Sequence, residues 1–217
     1  MVRGHFDKQL ELMNAELVAM GDLIETAIAG AVQALIYLDA EKARETIEIA
    51  EQISAKEREI ESFCLKLLLQ QQPVARDLRL ISTALKMITD MERIGDQASN
   101  IAELGMILAQ EPGIGRMHRV ERMAEATIRM VNDSVDAFVQ KDMALAQHVI
   151  DYDDVVDDLF SAVKLELITL IRESAAHSEQ AINWIMVAKY LEKIADHAAN
   201  IAAWAIFSLT GEKPLIK

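Results

Sequence analysis

The sequence predicts an all-α protein made of two tandem three-helix bundles, with long spectrin-repeat-like helices related by a pseudo-twofold internal repeat. Three observations predict this fold. Apolar residues recur at helical spacing along the chain, helix breakers are scarce (3 Pro and 8 Gly in 217 residues), and one motif occurs twice. Apolar residues make up 52% of the chain and aromatic residues only 5%, so the core is expected to be aliphatic.

The first predicted helix extends from near the N-terminus to Leu38. Its apolar residues alternate steps of three and four, a heptad-like seam typical of long helices packed side by side. The seam comprises Leu10, Met13, Leu17, Met20, Ile24, Ala27, Ala31, Ala34 and Leu38. A polar turn at 38–41 leads to a second helix at about 42–71, whose inward residues are Ile49, Ile53, Ile60, Phe63 and Leu67.

The third predicted helix covers roughly 74–110, since Pro73 suits the first turn of a helix. Its seam consists of Ala84, Met87, Met91, Ile94, Ala98 and Ile101. The segment 111–115 then brings together Pro112, Gly113 and Gly115, which favours a break in the helix. The boundary is therefore placed here, with a first bundle at 1–111 and a second at 116–217.

The second half repeats this plan, with helices near 117–140, 143–175 and 179–209. The last seam consists of Trp184, Val187, Leu191, Ile194, Ala198, Ile201 and Ala205. Gly211 and Pro214 mark its end. The segments 92–102 and 192–202 share Glu, Ile, Asp, Ala, Asn, Ile and Ala at an offset of 100 residues. Apolar core residues could match by chance in a helical protein, but acidic and amide residues at the same helical positions would not. The match therefore indicates an internal duplication.

Each repeat carries an acidic stripe in which three polar residues are spaced four apart. This spacing places them on one face of a helix. The stripes are Glu92, Asp96 and Asn100 in the first repeat and Glu192, Asp196 and Asn200 in the second. The adjacent positions belong to the apolar seams, so each stripe is predicted to flank the core.

A second acidic pair is predicted to face the stripe of the second repeat. The turn between helices five and six is predicted near residue 177. Asp157 precedes this turn and Asp196 follows it by about 20 residues each, so on antiparallel helices the two residues lie at the same height along the helix axes. Asp153 and Asp157 would then face Glu192 and Asp196. Four close carboxylates repel one another unless a cation intervenes or some protonate. A site made of oxygen ligands suits magnesium, calcium, manganese or iron. The alternative to a metal site is a set of solvated carboxylates on a helix face.

The first repeat is predicted to hold metal more weakly. The same register places Ala50 and Ser54 opposite its stripe, so the first site would use Glu92, Asp96 and Asn100 alone, or bind nothing. Around the second site, His197 is predicted to project about 100° away from Asp196. A solvated face beside the site is expected from Asp151, Asp154 and Asp158.

The charge and the single cysteine exclude several classes of function. A net charge of −13 disfavours nucleic-acid binding, and the one basic cluster is expected to be solvated: Arg116, His118, Arg119 and Arg122. Cys64 excludes an intramolecular disulfide and a cysteine-based zinc site, and is expected in the core. No leader is seen and the longest apolar stretch, around 201–207, is short for a membrane span. A cytoplasmic protein is expected.

These segments resemble the PhoU family of phosphate-uptake regulators. The resemblance is carried by "AMGDLIETAIAGAVQAL" (19–35), "LLLQQQPVARD" (67–77), "LRLISTALKMITDMERIGDQASNIAE" (78–103) and "YLEKIADHAANIA" (190–202), so it covers nearly the whole chain. It implies paired three-helix bundles with surface metal motifs. These motifs map to Glu92 and Asp96, and to Asp153, Asp157, Glu192 and Asp196. Ala50 and Ser54 depart from the family pattern, in which many members carry acids.

The resemblance also implies the partners of the protein. It indicates a negative regulator that couples a phosphate ABC transporter ATPase to a sensor histidine kinase, meets the membrane only through them, and is a homodimer candidate. The metal would be iron, manganese, zinc, magnesium or calcium.

An enzyme is the first rival function. No Glu is followed by His at the third position, as a di-iron oxidase requires, and neither H-E-x-x-H nor a P-loop motif is present. A metal-dependent hydrolase would have no assigned nucleophile or base. The second rival is a helical adaptor that binds no metal.

Overall fold

The computed structural model describes residues 2–71, 74–110, 113–115 and 117–216. In those ranges the chain forms long helices and no strand, as predicted. The helices are α1 (Val2–Tyr37), α2 (Ala40–Gln71), α3 (Ala75–Leu108), α4 (His118–Gln140), α5 (Met143–Glu173) and α6 (Ser178–Thr210), with a 3-10 turn at Ala175–His177 before α6. Each bound agrees with the sequence prediction to within a few residues. Pro73, Glu111, Pro112 and Arg116 lie outside the described residues.

The first hairpin of each repeat uses the same turn. Leu38 (φ 54°) and Lys141 (φ 59°) adopt the left-handed conformation, and an aspartate follows each. Asp39 Oδ1 accepts hydrogen bonds from the backbone N–H groups two and three residues on, at 3.0 Å each. Asp142 Oδ1 does the same at 2.9 and 3.0 Å. These N-caps satisfy otherwise unpaired donors, so α2 and α5 begin at fixed positions.

The two bundles share one continuous hydrophobic core. Helices α1, α2 and α3 pack together, as do α4, α5 and α6, and α3 packs along α6 while α1 packs on α4. The predicted seams provide this core: Leu17, Ile24 and Ile94 are fully buried. Leu10, Ile49 and Phe63 are only partly buried at its edge. The repeats are therefore joined by a packed helix interface as well as by the linker.

Helices α3 and α6 run antiparallel at the centre of the molecule. The Arg79 guanidinium near the start of α3 lies against Gly211 at the end of α6. Near the middle of both helices, His197 Nδ1 lies 2.9 Å from Asp90 Oδ1. The linker is also fixed, since the Ile114 N–H donates to Gln180 Oε1 at 2.7 Å. These contacts hold the second repeat in one orientation on the first.

Within the described residues, one helical segment, Phe6–Tyr37, is long and apolar enough to cross a membrane by length and composition. The sequence prediction missed it because its apolar residues are interspersed with polar ones rather than forming an unbroken run. Leu17, Met20 and Ile24 of this segment are fully buried among the neighbouring helices. The core helix of a bundle has the same composition, so the core accounts for its hydropathy.

The basic residues at the start of α4 have acidic neighbours. Arg119 forms an ion pair with Glu166 of α5. His118 Nδ1 lies 3.4 Å from Glu121 Oε2. The positive charge considered for nucleic-acid contact is thus partly neutralised within the second bundle.

Candidate metal centre

An acidic cleft of about 450 Å³ lies between α5 and α6. The structure brings to it the two acidic pairs that the sequence places opposite each other. Asp151 and Asp154, predicted to form a separate solvated face, also line it. The carboxylates of the acidic cleft are Asp151, Asp153, Asp154, Asp157, Glu192 and Asp196.

The helix seams explain why these carboxylates meet. Val156 on α5 and Leu191 and Ile194 on α6 are fully buried, which fixes the rotation of both helices. The acidic residues beside them are left along the edges of the helix contact. Asp153 is half-buried and Asp157 is exposed, so the cleft is closed at its base and open to solvent at its edge.

Burial and mutual repulsion raise the pKa values of two carboxylates in the acidic cleft. Burial, and after it the neighbouring carboxylates of Asp196 and Asp157, raise the pKa of Asp153 to about 6. Burial also raises the pKa of Asp157, with Glu192 as the next cause. Both shifts mean that ionising these side chains is costly here, because charge is added next to like charge with reduced solvation.

Two lysines already neutralise part of this charge. Lys189 forms an ion pair with Glu192, and Lys193 forms one with Asp196. The Lys193 ammonium also lies 4.0 Å from Glu192, and its hydrogen bond to Asp196 raises the pKa of Lys193. Sequence reasoning missed these lysines, although their i,i+3 spacing to the acids is a usable signal.

The donor chemistry of the acidic cleft fits a hard cation. Carboxylate oxygens from two helices are the ligands preferred by magnesium, calcium, manganese and iron. In the described residues, no three Asp, Glu, His or Cys side chains form a preassembled coordination set. Binding would therefore require Lys189 and Lys193 to move away from Glu192 and Asp196.

Three other predicted residues lie apart from the cleft lining. Asn200 accepts a hydrogen bond from Lys213 Nζ at 3.3 Å. His197 contacts Asp90 on α3, which agrees with the prediction that it projects away from Asp196. Asp158 is exposed on α5.

The prediction for the first repeat, which named Ala50 and Ser54 opposite the stripe, did not include Glu57. The structure places Glu57 near Glu92. Burial raises the pKa of Glu57, and the nearby Glu92 carboxylate is the next cause. Where they face the stripes, α2 and α5 correspond with the 100-residue offset of the motifs, because Glu57 lies near Glu92 as Asp157 lies near Glu192. Glu57 is thus the equivalent of Asp157.

The same offset shows what the first repeat lacks. Ile53, fully buried against Gly95, occupies the position equivalent to Asp153. The remaining acidic residues are Glu57, Glu92 and the exposed Asp96, with Asn100 partly buried one turn further on. By this correspondence, the first repeat has fewer carboxylates around its stripe than the acidic cleft has.

Comparison with known proteins matches both repeats to one family. The model of the PhoU domain matches residues 17–105 and again 120–205. A "phosphate-specific transport system accessory protein PhoU homolog" from Aquifex aeolicus is 39% identical, with 94% of this chain and 93% of that protein covered. The homologue from Pseudomonas aeruginosa is 37% identical, with 95% and 86% covered.

Two solved structures share the whole fold. The crystal structure of PhoU from Pseudomonas aeruginosa superposes with a TM-score of 0.90 at 37% identity, and covers 95% of this chain and 100% of that chain. The phosphate transport system regulatory protein PhoU from Streptococcus pneumoniae gives a TM-score of 0.89 at 25% identity, with 97% and 100% covered.

Proposed function

The chain belongs to the PhoU family, and on that premise we propose that it is a negative regulator of phosphate uptake and phosphate-responsive signalling. Its relatives are named as accessory proteins of the phosphate-specific transport system. A solved relative is named a phosphate transport system regulatory protein. This chain matches them over nearly its full length, so the same role is the best-supported one.

The proposed mechanism is that of a cytoplasmic, non-enzymatic adaptor. The helical surface would contact the ATPase of a phosphate ABC transporter and a sensor histidine kinase, and would reach the membrane only through them. A homodimer is one form in which it could act. The rigid joining of the repeats through α3 and α6 supports this role, since two partner surfaces would keep a fixed separation.

Metal binding in the acidic cleft is the second part of the proposal. Asp153 and Asp157 on α5 and Glu192 and Asp196 on α6 would hold the ion. The observation that carries this assignment is the half-buried Asp153 with its pKa raised by burial and by neighbouring carboxylates. A bound cation would supply positive charge to relieve this repulsion and would link α5 to α6. In the first repeat, Glu57, Glu92 and Asp96 would form a weaker site.

The second candidate is a helical adaptor that binds no metal. It is favoured by Lys189 and Lys193, which pair with Glu192 and Asp196 and so neutralise half of the four-carboxylate set. The two candidates share the same fold and partners. They differ in metal content, which can be measured directly.

Elemental analysis of the purified protein tests the metal assignment. We expect bound metal in the wild type and less in Glu192→Ala/Asp196→Ala, because two of four carboxylate ligands are removed. The matched control is Glu125→Ala/Asp136→Ala, which removes two exposed carboxylates from α4. Circular dichroism should show full helicity in all three. Equal metal content in all three proteins would contradict the assignment.

Phosphate uptake tests the regulatory role. Cells that lack the chain are expected to take up phosphate at a high rate even when it is abundant, and the wild-type chain should restore repression. Unchanged uptake in its absence would rule out negative regulation. Loss of repression with Glu192→Ala/Asp196→Ala would connect the acidic cleft to regulation.

A further inference from the structure

The C-terminal segment Gly211–Ile216 turns back across the outer face of α6. Gly211, with φ 86°, reverses the chain, and its N–H donates to the Phe207 carbonyl oxygen at 2.8 Å. The Glu212 N–H then donates to Thr210 Oγ1 at 3.1 Å. The segment has no helical periodicity, so these bonds and its side-chain contacts determine its path.

Lys213 attaches this segment to the acidic stripe. Its ammonium donates to Asn200 Oδ1 at 3.3 Å and lies 4.1 Å from the centroid of the Trp204 ring. A cation over an indole ring is attracted by the ring quadrupole. Asn200 lies one helical turn beyond Asp196, so the lysine occupies the stripe next to the acidic cleft.

The end of the segment reaches the acidic cleft itself. Leu215 and Ile216 line it together with Ile150 of α5 and Ala199 of α6. One short segment therefore contacts the asparagine of the stripe and forms part of the cleft rim. A change at either place would be transmitted along a few residues of extended chain.

We propose that Lys213 is an intramolecular counter-cation whose ammonium, anchored at Asn200, is repelled by a metal ion in the acidic cleft, so that filling the cleft releases the C-terminal segment. This inference rests on the metal binding proposed above. A divalent cation held at Asp196, one helical turn from Asn200, would repel the ammonium that donates to Asn200 Oδ1. Coupling between two binding events is reciprocal. The Lys213–Asn200 contact must therefore lower the affinity for metal, and by the same factor as bound metal weakens that contact.

Calorimetric titration with Mn²⁺ tests the repulsion. Lys213→Met is expected to bind Mn²⁺ about threefold to tenfold more tightly than the wild type, a coupling within the usual range. Lys213→Arg keeps the charge and should bind like the wild type. Lys86→Met is the matched control, because Lys86 is an exposed lysine near Lys213 without a contact to Asn200. It should change the affinity less than twofold.

Hydrogen exchange measured by mass spectrometry gives a readout independent of affinity. In the wild type, Mn²⁺ should speed the exchange of amides in 211–216, because the segment loses its anchor. In Lys213→Met these amides should exchange quickly without metal and show no further change. Exchange that is unaffected by Mn²⁺ in the wild type would overturn the release.

The possible outcomes separate this inference from the proposed metal site. If Asp196→Asn abolishes Mn²⁺ binding while Lys213→Met matches the wild type, the acidic cleft binds metal and the counter-cation role is wrong. If Lys86→Met and Lys213→Met raise the affinity for Mn²⁺ by the same factor, the loss of any positive charge accounts for the effect, and the specific role of Lys213 is wrong. If the wild type binds no Mn²⁺, both the metal site and this inference fail.

Discussion

Asp153 is the carboxylate of the acidic cleft whose pKa is raised most strongly. Its pKa, raised to about 6, lies well above the ordinary value of an aspartate, and burial is the main cause. Because the folded state binds this proton more tightly than the unfolded state, protonation stabilises the fold. In the absence of metal, Asp153 should therefore reduce stability above pH 6 and cease to do so as the pH falls towards 4.

Replacing Asp153 with Asn should stabilise the metal-free protein at neutral pH. After discounting for solvent screening at this half-buried position, we expect a gain of about 1 kcal/mol in the free energy of unfolding at pH 7.5. The gain should vanish near pH 4, where the wild-type side chain is protonated. Urea unfolding with a chelator at both pH values measures it. Lower stability of Asp153→Asn at pH 7.5 would contradict this account.

At the residue scale, the sequence predicts which carboxylates lie close together more reliably than it predicts which lysines neutralise them. Asp153 and Asp196 follow from helix spacing and height, since both depend only on the regular rise of a helix. The ion pairs of Lys189 and Lys193 depend on side-chain rotamers. Lys213 is less predictable still, because its contact with Asn200 arises from a non-helical segment that turns back on the chain.

Among the elements, α2 and α3 make a close helix contact at Gly95. A Cβ atom at this position would lie 3.0 Å from Ile53 Cγ2 and 3.1 Å from Ile53 Cδ1. Ile53 is fully buried and has little room to move. Gly95 is therefore required for the separation of the two helices, although glycine is otherwise unfavourable within a helix.

Gly95→Ala should destabilise the protein by roughly 1–3 kcal/mol, because the added methyl group overpacks the α2–α3 contact. Gly21→Ala is the matched control, since its nearest neighbour, Val135 Cγ2, is 3.8 Å away. That substitution should be neutral or stabilise α1 by up to about 1 kcal/mol. Chemical denaturation of both variants measures the difference. Equal effects of the two substitutions would argue against the close contact.

The position of Glu57 on α2, which was not predicted, belongs to this scale. Helix bounds and buried seams are predictable because each depends on local periodicity. The height of one helix against another also depends on the length and path of the loop between them. The sequence of the 70–77 region does not reveal the path of the loop between α2 and α3, so Glu57 was not predicted near Glu92. For the α5–α6 hairpin, the predicted turn brought the acidic pairs together as the structure has them.

For the whole molecule, the α3–α6 contact should make the two repeats unfold together. One hydrophobic core spans both bundles, so unfolding one repeat would expose the apolar face of the other. Differential scanning calorimetry is expected to show a single transition whose calorimetric and van't Hoff enthalpies agree. Two resolved transitions would show that the repeats are independent.

The central position of α6 is indicated by its amino-acid sequence. Its small residues are buried around much of the helix, including Ala195, Ala199 and Ala203 beside the seam. A helix that is apolar over most of its circumference is enclosed by neighbours on several sides. This pattern indicates a central helix but does not identify α3 as the helix it contacts.

The antiparallel pairing of α3 with α6 also has an evolutionary consequence. Two separate single-repeat chains could meet through the same surface in a symmetric, self-complementary contact. In such an assembly every substitution would occur on both sides at once. Within one chain that constraint does not apply, so Ile53 can fill the core of one half while Asp153 occupies the equivalent position in the other. Each half can then carry its own substitutions, for packing on one side and for charge on the other.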